Sequence, residues 1–222
     1  MAIAFDAKSK GNAAATNTIT VAHTCTGSNL ILIVNAISRE DVTGSTFTGI
    51  TYNGVALTQL STQTQSTAWI QDVWYLINPS TGANNIIASL SAASTDGIVI
   101  SAASYTGVKQ TSPFTTAGQD SNTSASSLSA STTTSVDNSW VVCAVMFNGT
   151  ISPTPLGSEV IRDVDASGAT FGGLEDIVDV VAGAQSMGWE AIADTGRFMV
   201  TTVGFEPVAA AAAASHPLLM RV

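Results

Sequence analysis

Apolar and polar residues alternate with a period of two along most of this chain, and no stretch sustains the 3.6-residue period of an amphipathic helix. Ile19, Val21, His23 and Cys25, for example, fall on one side of a run whose other side is Thr and Ala. Runs rich in Val, Ile and Thr, punctuated by Gly, Asn, Ser and Pro, predict many short strands. The segments marked in this way are 2–7, 16–25, 29–38, 48–53, 55–62, 68–78, 84–92, 97–106, 127–134, 139–148, 157–163, 176–182, 185–192 and 196–206. In GITYNGVALTQL, Asn53-Gly54 separates two alternating runs. Both residues tolerate positive φ, so a two-residue type I′ turn and a hairpin are expected. After the run from Trp69 to Ile77, Asn78-Pro79-Ser80-Thr81-Gly82 predicts a second turn, because Pro79 has no N–H to give a ladder.

Several runs are apolar on both sides. Leu30, Leu32, Val34 and Ala36 oppose Ile31, Ile33 and Ile37, and Val141, Cys143, Val145 and Phe147 oppose Trp140, Val142, Ala144 and Met146. A strand of that kind is covered on both faces, whereas 55–62, with its Thr and Gln, reads as half-exposed. The mixture predicts an all-β fold: an antiparallel two-sheet sandwich, jelly-roll-like, with an irregular C-terminal tail. The Ser/Thr-rich stretch Thr111–Thr134 reads as a long loop leading into a polar edge strand, and no internal repeat of fixed period stands out. The composition breaks at Glu206-Pro207. The organisation expected is one sandwich domain over 1–207 and an Ala-rich extension over 208–222, whose Leu218, Leu219 and Met220 give a flexible segment something with which to dock on a neighbour.

Composition narrows the function. Charged residues are only 10% of the chain, against about 25% in ordinary domains, which excludes a coiled coil or helical bundle. Sixteen acidic against seven basic residues give a net charge of −9, so no nucleic-acid partner is expected. No apolar run of about 18 residues predicts a membrane helix. The start, MAIAFDAKSKGNAAATNTIT, has its first lysines after its only short apolar stretch, so no signal peptide is expected and synthesis in cytoplasm is. Cys25 and Cys143 both fall on apolar sides and read as buried reduced thiols, with a long-loop disulfide as the alternative.

Catalytic chemistry finds little to use. Nucleophilic hydrolysis needs a base beside the nucleophile. Only His23 and His216 exist, and His23 lies on an inward stripe. No nucleophile elbow, dinucleotide fingerprint or Walker loop occurs, so no catalytic residue is assigned and no enzyme is expected. In DVDASGATFGGLED, Asp163, Asp165 and Ser167 precede Gly168 at the spacing of a calcium loop. The pattern then slips, because Leu174 stands where a Glu should and Glu175 comes one residue late. A solvated acidic loop is expected, with no cofactor; calcium held by Asp163, Asp165, Glu175 and Asp176 is the alternative. Trp74, two residues after Asp72, and Trp189, next to Glu190, are the candidates for stacking on a glycan.

ITYNGVALTQL, DVWYLINPSTGANNI and AASYTGVKQTSPF, with FDAKSKGNAAATNTITVAHTCTGSNLILIV before them and MGWEAIADTGRFMVTTVGFEP after, resemble β-sandwich domains of tailed-phage structural proteins and of uncharacterised bacterial surface proteins. The resemblance covers about residues 3–207 and leaves out the Ala-rich tail. It marks turns and core strands and no catalytic residue. It implies a virion component, a capsid decoration, head-fibre or tail-associated protein on the virion surface. Its partners would be copies of itself, as a homo-oligomer such as a trimer, and other virion proteins. A carbohydrate-binding adhesin domain on a fibre or cell surface is the alternative.

Overall fold

The computed structural model describes residues 2–39, 45–66, 69–94, 97–191 and 194–209. No described residue is helical, and antiparallel sheets pack face to face as the alternation predicts. The sandwich is present twice. In the first half, β1 (Ala4–Ala13), β2 (Thr16–Cys25), β3 (Ile31–Arg39), β4 (Phe47–Tyr52), β5 (Val55–Ala56), β6 (Thr58–Gln65), β7 (Trp69–Ile77), β8 (Gly82–Ser94) and β9 (Gly97–Thr106) form a sheet of order β1-β9-β3-β7-β6 and a second of order β2-β8-β4-β5. In the second half, β10 (Gly118–Ala125), β11 (Ser127–Thr134), β12 (Ser139–Asn148), β13 (Thr154–Pro155), β14 (Val160–Ser167), β15 (Thr170–Val180), β16 (Gly183–Glu190) and β17 (Gly196–Phe205) form sheets of order β10-β17-β12-β15-β14 and β11-β16-β13. The two orders correspond strand for strand, except that β5 has no counterpart in the second half. In both, the chain passes back and forth between the sheets along the jelly-roll path, staying in one sheet only in the β4–β5, β6–β7 and β14–β15 hairpins. At Leu57, the single buried residue between β5 and β6, the chain leaves one sheet of the first half for the other.

The correspondence extends to register. Val34 pairs with Trp74 and Ala102, and Cys143 with Glu175 and Thr202. Cys25 faces Gly82 as Thr134 faces Gly183. Asn29 and Asn138 take positive φ before β3 and β12, and Asn78 and Asp179 do so at or near the ends of β7 and β15. Phe5 and Phe114 hold the same place beside Tyr105 and Phe205, each in an edge-on ring contact. The chain is thus a structural duplication that pattern reading missed, because the shared quantity is backbone register and the side chains at equivalent positions have diverged.

The halves meet through the sheets that contain β3 and β12, the inner sheets. Strands β3, β9, β12 and β17 are buried along nearly their whole length, while β2 and β11 alternate buried and exposed. One face of each inner sheet covers its own outer sheet, and the other closes the seam between halves. Ile31, Ile33, Val73 and Tyr105 pack there against Trp140, Val142, Leu174 and Phe205, and Ile37, Trp69 and Val99 against Met146 and Met199. Equivalent residues meet at both ends of the seam: Tyr105 and Phe205 rings lie 5.0 Å apart, and Val99 and Met199 share a cluster. A local two-fold axis therefore runs along the strands. Its signature is also polar, since Ser101 Oγ donates to Gly172 O and its counterpart Thr201 Oγ1 to Gln71 Oε1.

Two expectations are corrected. Gly118–Ala125 is a strand, not part of a loop; it pairs with β17 at a sheet edge and is exposed on both sides, so it carries no apolar alternation. DVDASGATFGGLED is the β14–β15 hairpin turning at Gly168 (φ 58°), not an acidic loop. Gly172 and Gly173 sit inside the strand because a Cβ at Gly172 would lie 2.6 Å from Ile37 Cδ1 across the seam, and one at Gly173 would lie 3.1 Å from the Trp189 ring.

Across the seam, Tyr105 Oη donates to Asp176 Oδ2 at 2.9 Å. Arg162 clamps both oxygens of that buried carboxylate and lies over the Phe5 ring. Removing Arg162 leaves the buried Asp176 carboxyl without its ionic partner. Arg162→Met is therefore expected to cost about 3–5 kcal/mol of unfolding free energy, and Tyr105→Phe, which loses one hydrogen bond to a charged acceptor, about 1.5–3 kcal/mol. Chemical denaturation of the two variants checks that order.

Candidate functional site

The residues proposed from sequence do not converge. Trp189 is fully buried among Val145, Met187 and Phe198. Trp74, 8% exposed, belongs to the first half's core with Leu32 and Ile86. Neither ring offers a face to a sugar. Asp163 and Asp165 lie two apart on β14, while Glu175 and Asp176, adjacent on β15, point to opposite faces. Glu175 enters the second core, Asp176 the seam, and Asp163 lies 3.9 Å from Lys10. Among the described residues no group of three or more Cys, His, Asp or Glu is placed to hold a metal. Leu218, Leu219 and Met220 lie outside the described residues. Cys25 and Cys143 are free and sit in the cores of different halves, which rules out a bridge between them.

Two buried polar constellations went unnoticed in the sequence. In the first half Asp6 accepts from Thr26 N, Thr26 Oγ1 and Ser104 Oγ. Because Ser104 donates its proton to Asp6, His23 Nε2 must donate to Ser104 Oγ (3.0 Å), which leaves Nδ1 to accept from Ser9 Oγ (2.9 Å). Burial lowers the His23 pKa to about 4, against the opposing pull of Asp6. The ring is neutral and fully bonded, a tie between β1, β2 and β9. Nothing presents Ser9 as a nucleophile.

In the second half Cys143, Glu175 and Thr202 stand in one row across the inner sheet, with Trp189 against Cys143. Glu175 occupies the place of Trp74, and Trp189 that of Ala88. The indole has moved from the inner sheet to the outer one, which leaves a carboxyl in an apolar slot. Neither Glu175 oxygen, nor Trp189 Nε1, nor Thr202 Oγ1 has a hydrogen-bond partner of ordinary geometry; the adjacent thiol is a weak donor. Burial first, and the charge of Glu159 second, push the Glu175 pKa up to about 9. The group is a neutral acid at pH 7, sealed from solvent.

The surface has its own pattern. Of the six described basic residues, Lys8 and Lys10 act on Asp163, Lys109 pairs with Glu206 at 2.6 Å, Arg162 binds Asp176, and Arg197 reaches Ser66 and the Trp69 ring. Arg39 also lies over the Trp69 ring, 4.6 Å from its centroid. Lys8, Lys10, Lys109 and Arg197 reach from one half to the other through these contacts, and Arg162, whose ion pair with Asp176 lies within the second half, does so by lying over the Phe5 ring. The exposed sides of β2 and β11 are instead Thr18, Thr20, Ala22, Thr24 and Ser127, Ser129, Ser131, Thr133. Shallow hollows on these outer sheets are polar: one is lined by Asn53, Asn84 and Asn85 beside Ile87, another by Ser129 and Ser186 beside Leu156 and Glu159. Comparison with protein-family models, curated proteins and solved structures finds no match to this chain.

Glu175 gives a pH prediction. The unfolded carboxyl ionises above its ordinary 4.5, while the folded one keeps its proton to about 9. Stability is therefore lost as pH rises through that window, at most by about 1.4 kcal/mol per pH unit. His23 acts in the opposite sense, its contribution being present above 6.5 and lost as pH falls toward 4. Glu175→Gln, which keeps shape and removes the ionisation, is expected to unfold at higher denaturant than the parent in alkaline buffer and to lose the advantage as pH approaches 4.5. Urea titrations across that range measure it; an advantage independent of pH contradicts the assignment.

Proposed function

We propose that this chain is a structural component of a virion, a capsid decoration, head-fibre or tail-associated subunit that works by packing against copies of itself and other virion proteins. One observation carries the reading. Basic side chains are spent on joining the halves, and the outer sheets are left with neutral, hydroxyl-lined strands suited to contact with another protein surface. The resemblance of the turn and strand motifs to tailed-phage structural domains supplies the setting, which is a fold-level analogy. The net charge of −9 favours a position on the virion surface, away from the packaged genome. In this reading the subunit closes into a symmetric homo-oligomer, such as a trimer, and Leu218, Leu219 and Met220 strap it to a neighbour. The adhesin alternative loses its stacking residues, since Trp74 and Trp189 are core.

The test is light scattering on the purified chain together with electron microscopy of the native particle. A defined oligomer that decorates particles is expected. Thr20→Glu with Ser131→Glu, both on exposed sides of outer strands, is expected to leave folding stability within about 0.5 kcal/mol and to abolish assembly. Deleting 210–222 is expected to weaken attachment. A chain that stays monomeric, ignores particles and binds polysaccharide would overturn the proposal.

A further inference from the structure

The sequence holds two Asn-Gly steps, Asn53-Gly54 and Asn148-Gly149, and the fold treats them oppositely. In an Asn-Gly step the glycine nitrogen can attack the asparagine side-chain carbonyl, because glycine has no side chain to hinder the approach. A free carboxamide and a free glycine N–H are the requirements.

Asn148 meets neither. It is the last residue of β12, paired to Thr170 on one side and Arg197 on the other. Its Nδ2 donates to Ala169 O at 3.1 Å, and the Gly149 N–H that would have to attack donates to the same carbonyl at 3.0 Å. The Phe147 ring and Asp194 crowd Gly149 so closely that a Cβ there would lie within 2.2–2.6 Å of them.

Asn53 meets both. It is exposed at the tip of the β4–β5 hairpin, with φ of 50° and 75° at Asn53 and Gly54 and Tyr52 paired to Val55. Its backbone N–H is anchored on Asn85 O at 3.1 Å. Among the described residues its carboxamide has no hydrogen-bond partner, and nothing lies within 4 Å of the position a side chain on Gly54 would take. The turn borders the open hollow lined by Asn84, Asn85 and Ile87, so water reaches it.

We propose that Asn53 is a site of spontaneous deamidation in the folded protein and that Asn148 is protected. The bond formed is Gly54 N to Asn53 Cγ. The bond broken is Cγ–Nδ2, and the amide proton leaves with ammonia. Water then opens the resulting five-membered imide at either carbonyl, giving aspartate or isoaspartate, with no oxidant or reductant involved. Either product places a negative charge beside Asn84 and Asn85, on an outer sheet whose described strands carry no Asp, Glu, Lys or Arg. Isoaspartate also lengthens the backbone within a turn whose register depends on two residues between Tyr52 and Val55. This inference is independent of the assembly reading.

The experiment is incubation of the native full-length protein in mildly alkaline buffer, followed by peptide mapping with mass spectrometry and isoaspartate detection, beside a urea-unfolded sample of the same chain. In the native protein the Asn53 peptide is expected to convert at least about tenfold faster than the Asn148 peptide, because Asn148 must first open its strand pairing. In the unfolded sample the two are expected to convert at similar rates. An Asn53 peptide that stays intact in the native protein while its unfolded counterpart converts overturns the proposal, as does equal conversion of both sites in the native protein.

Discussion

Both inner sheets are apolar on two faces, and every such face has to be removed from water. The outer sheet of each half covers one face; the second face of each inner sheet is covered only by the other. An isolated half would expose a contiguous strip that includes Ile31, Ile33, Val73 and Tyr105, or Trp140, Val142, Leu174 and Phe205, and a patch of that kind is sticky rather than soluble. Closure of the seam is therefore a condition of the fold. Because the two sheets belong to one chain, closure is intramolecular and does not depend on protein concentration. The polar contacts around the seam fix which residues meet. Asn35 Nδ2 reaches Val145 O and Gly173 O, and Gln63 and Gln65 reach the β17 backbone.

Joining two copies of a sandwich in one chain also let them diverge. Where the first half keeps Trp74 against Val34 and Ala102, the second has Glu175 against Cys143 and Thr202 and regains the lost volume with Trp189 in place of Ala88. A buried neutral carboxyl without a firm partner is a liability in a small core. Gln71 and Gly172 show the same divergence in a working contact: the two-fold mate of a backbone acceptor is a side-chain amide. Equivalent positions no longer share chemistry, yet strand order and pairing are unchanged, which is the expected outcome when register is fixed by burial.

What could be read from the sequence was what alternation encodes. Period two gave the strands around Ile19–Cys25 and the doubly apolar runs at Leu30–Ile37 and Trp140–Phe147, and Asn53-Gly54 gave the hairpin. The meaning of the doubly apolar runs, a second sandwich against the first, needed long-range pairing that no local window contains. β10 was invisible because an edge strand exposed on both sides has no apolar signal, and of β15 only the part from Asp176 on was marked, because Gly172 and Gly173 imitate a turn while serving close packing. The aromatic and acidic residues that looked like ligand groups, Trp74, Trp189, Glu175 and Asp176, are interior. A tryptophan in a strand is legible as apolar but not as buried or bare. The Asp6–Ser104–His23–Ser9 chain joins residues far apart in sequence, and spacing alone gives no sign of it.

The distribution of charge follows from the same seam and limits how the molecule can meet its neighbours. Arg162 and Arg197 stack on rings at the junction, and the half-exposed Lys10 and Lys109 close ion pairs that bridge the halves, so positive charge is spent within the molecule. Acids gather at turns and strand ends: Asp137 and Asp179 line one cleft where β17 ends, beside the Lys109–Glu206 ion pair. Two copies meeting end to end through such clefts bring like charges together, which is unfavourable at short range. Two copies meeting through β2 or β11 bring together Thr, Ser and Ala and desolvate hydroxyls that can find new partners. In the proposed assembly, packing side by side through the outer sheets, with the acidic ends directed away from the contact, is the arrangement this distribution of charge favours.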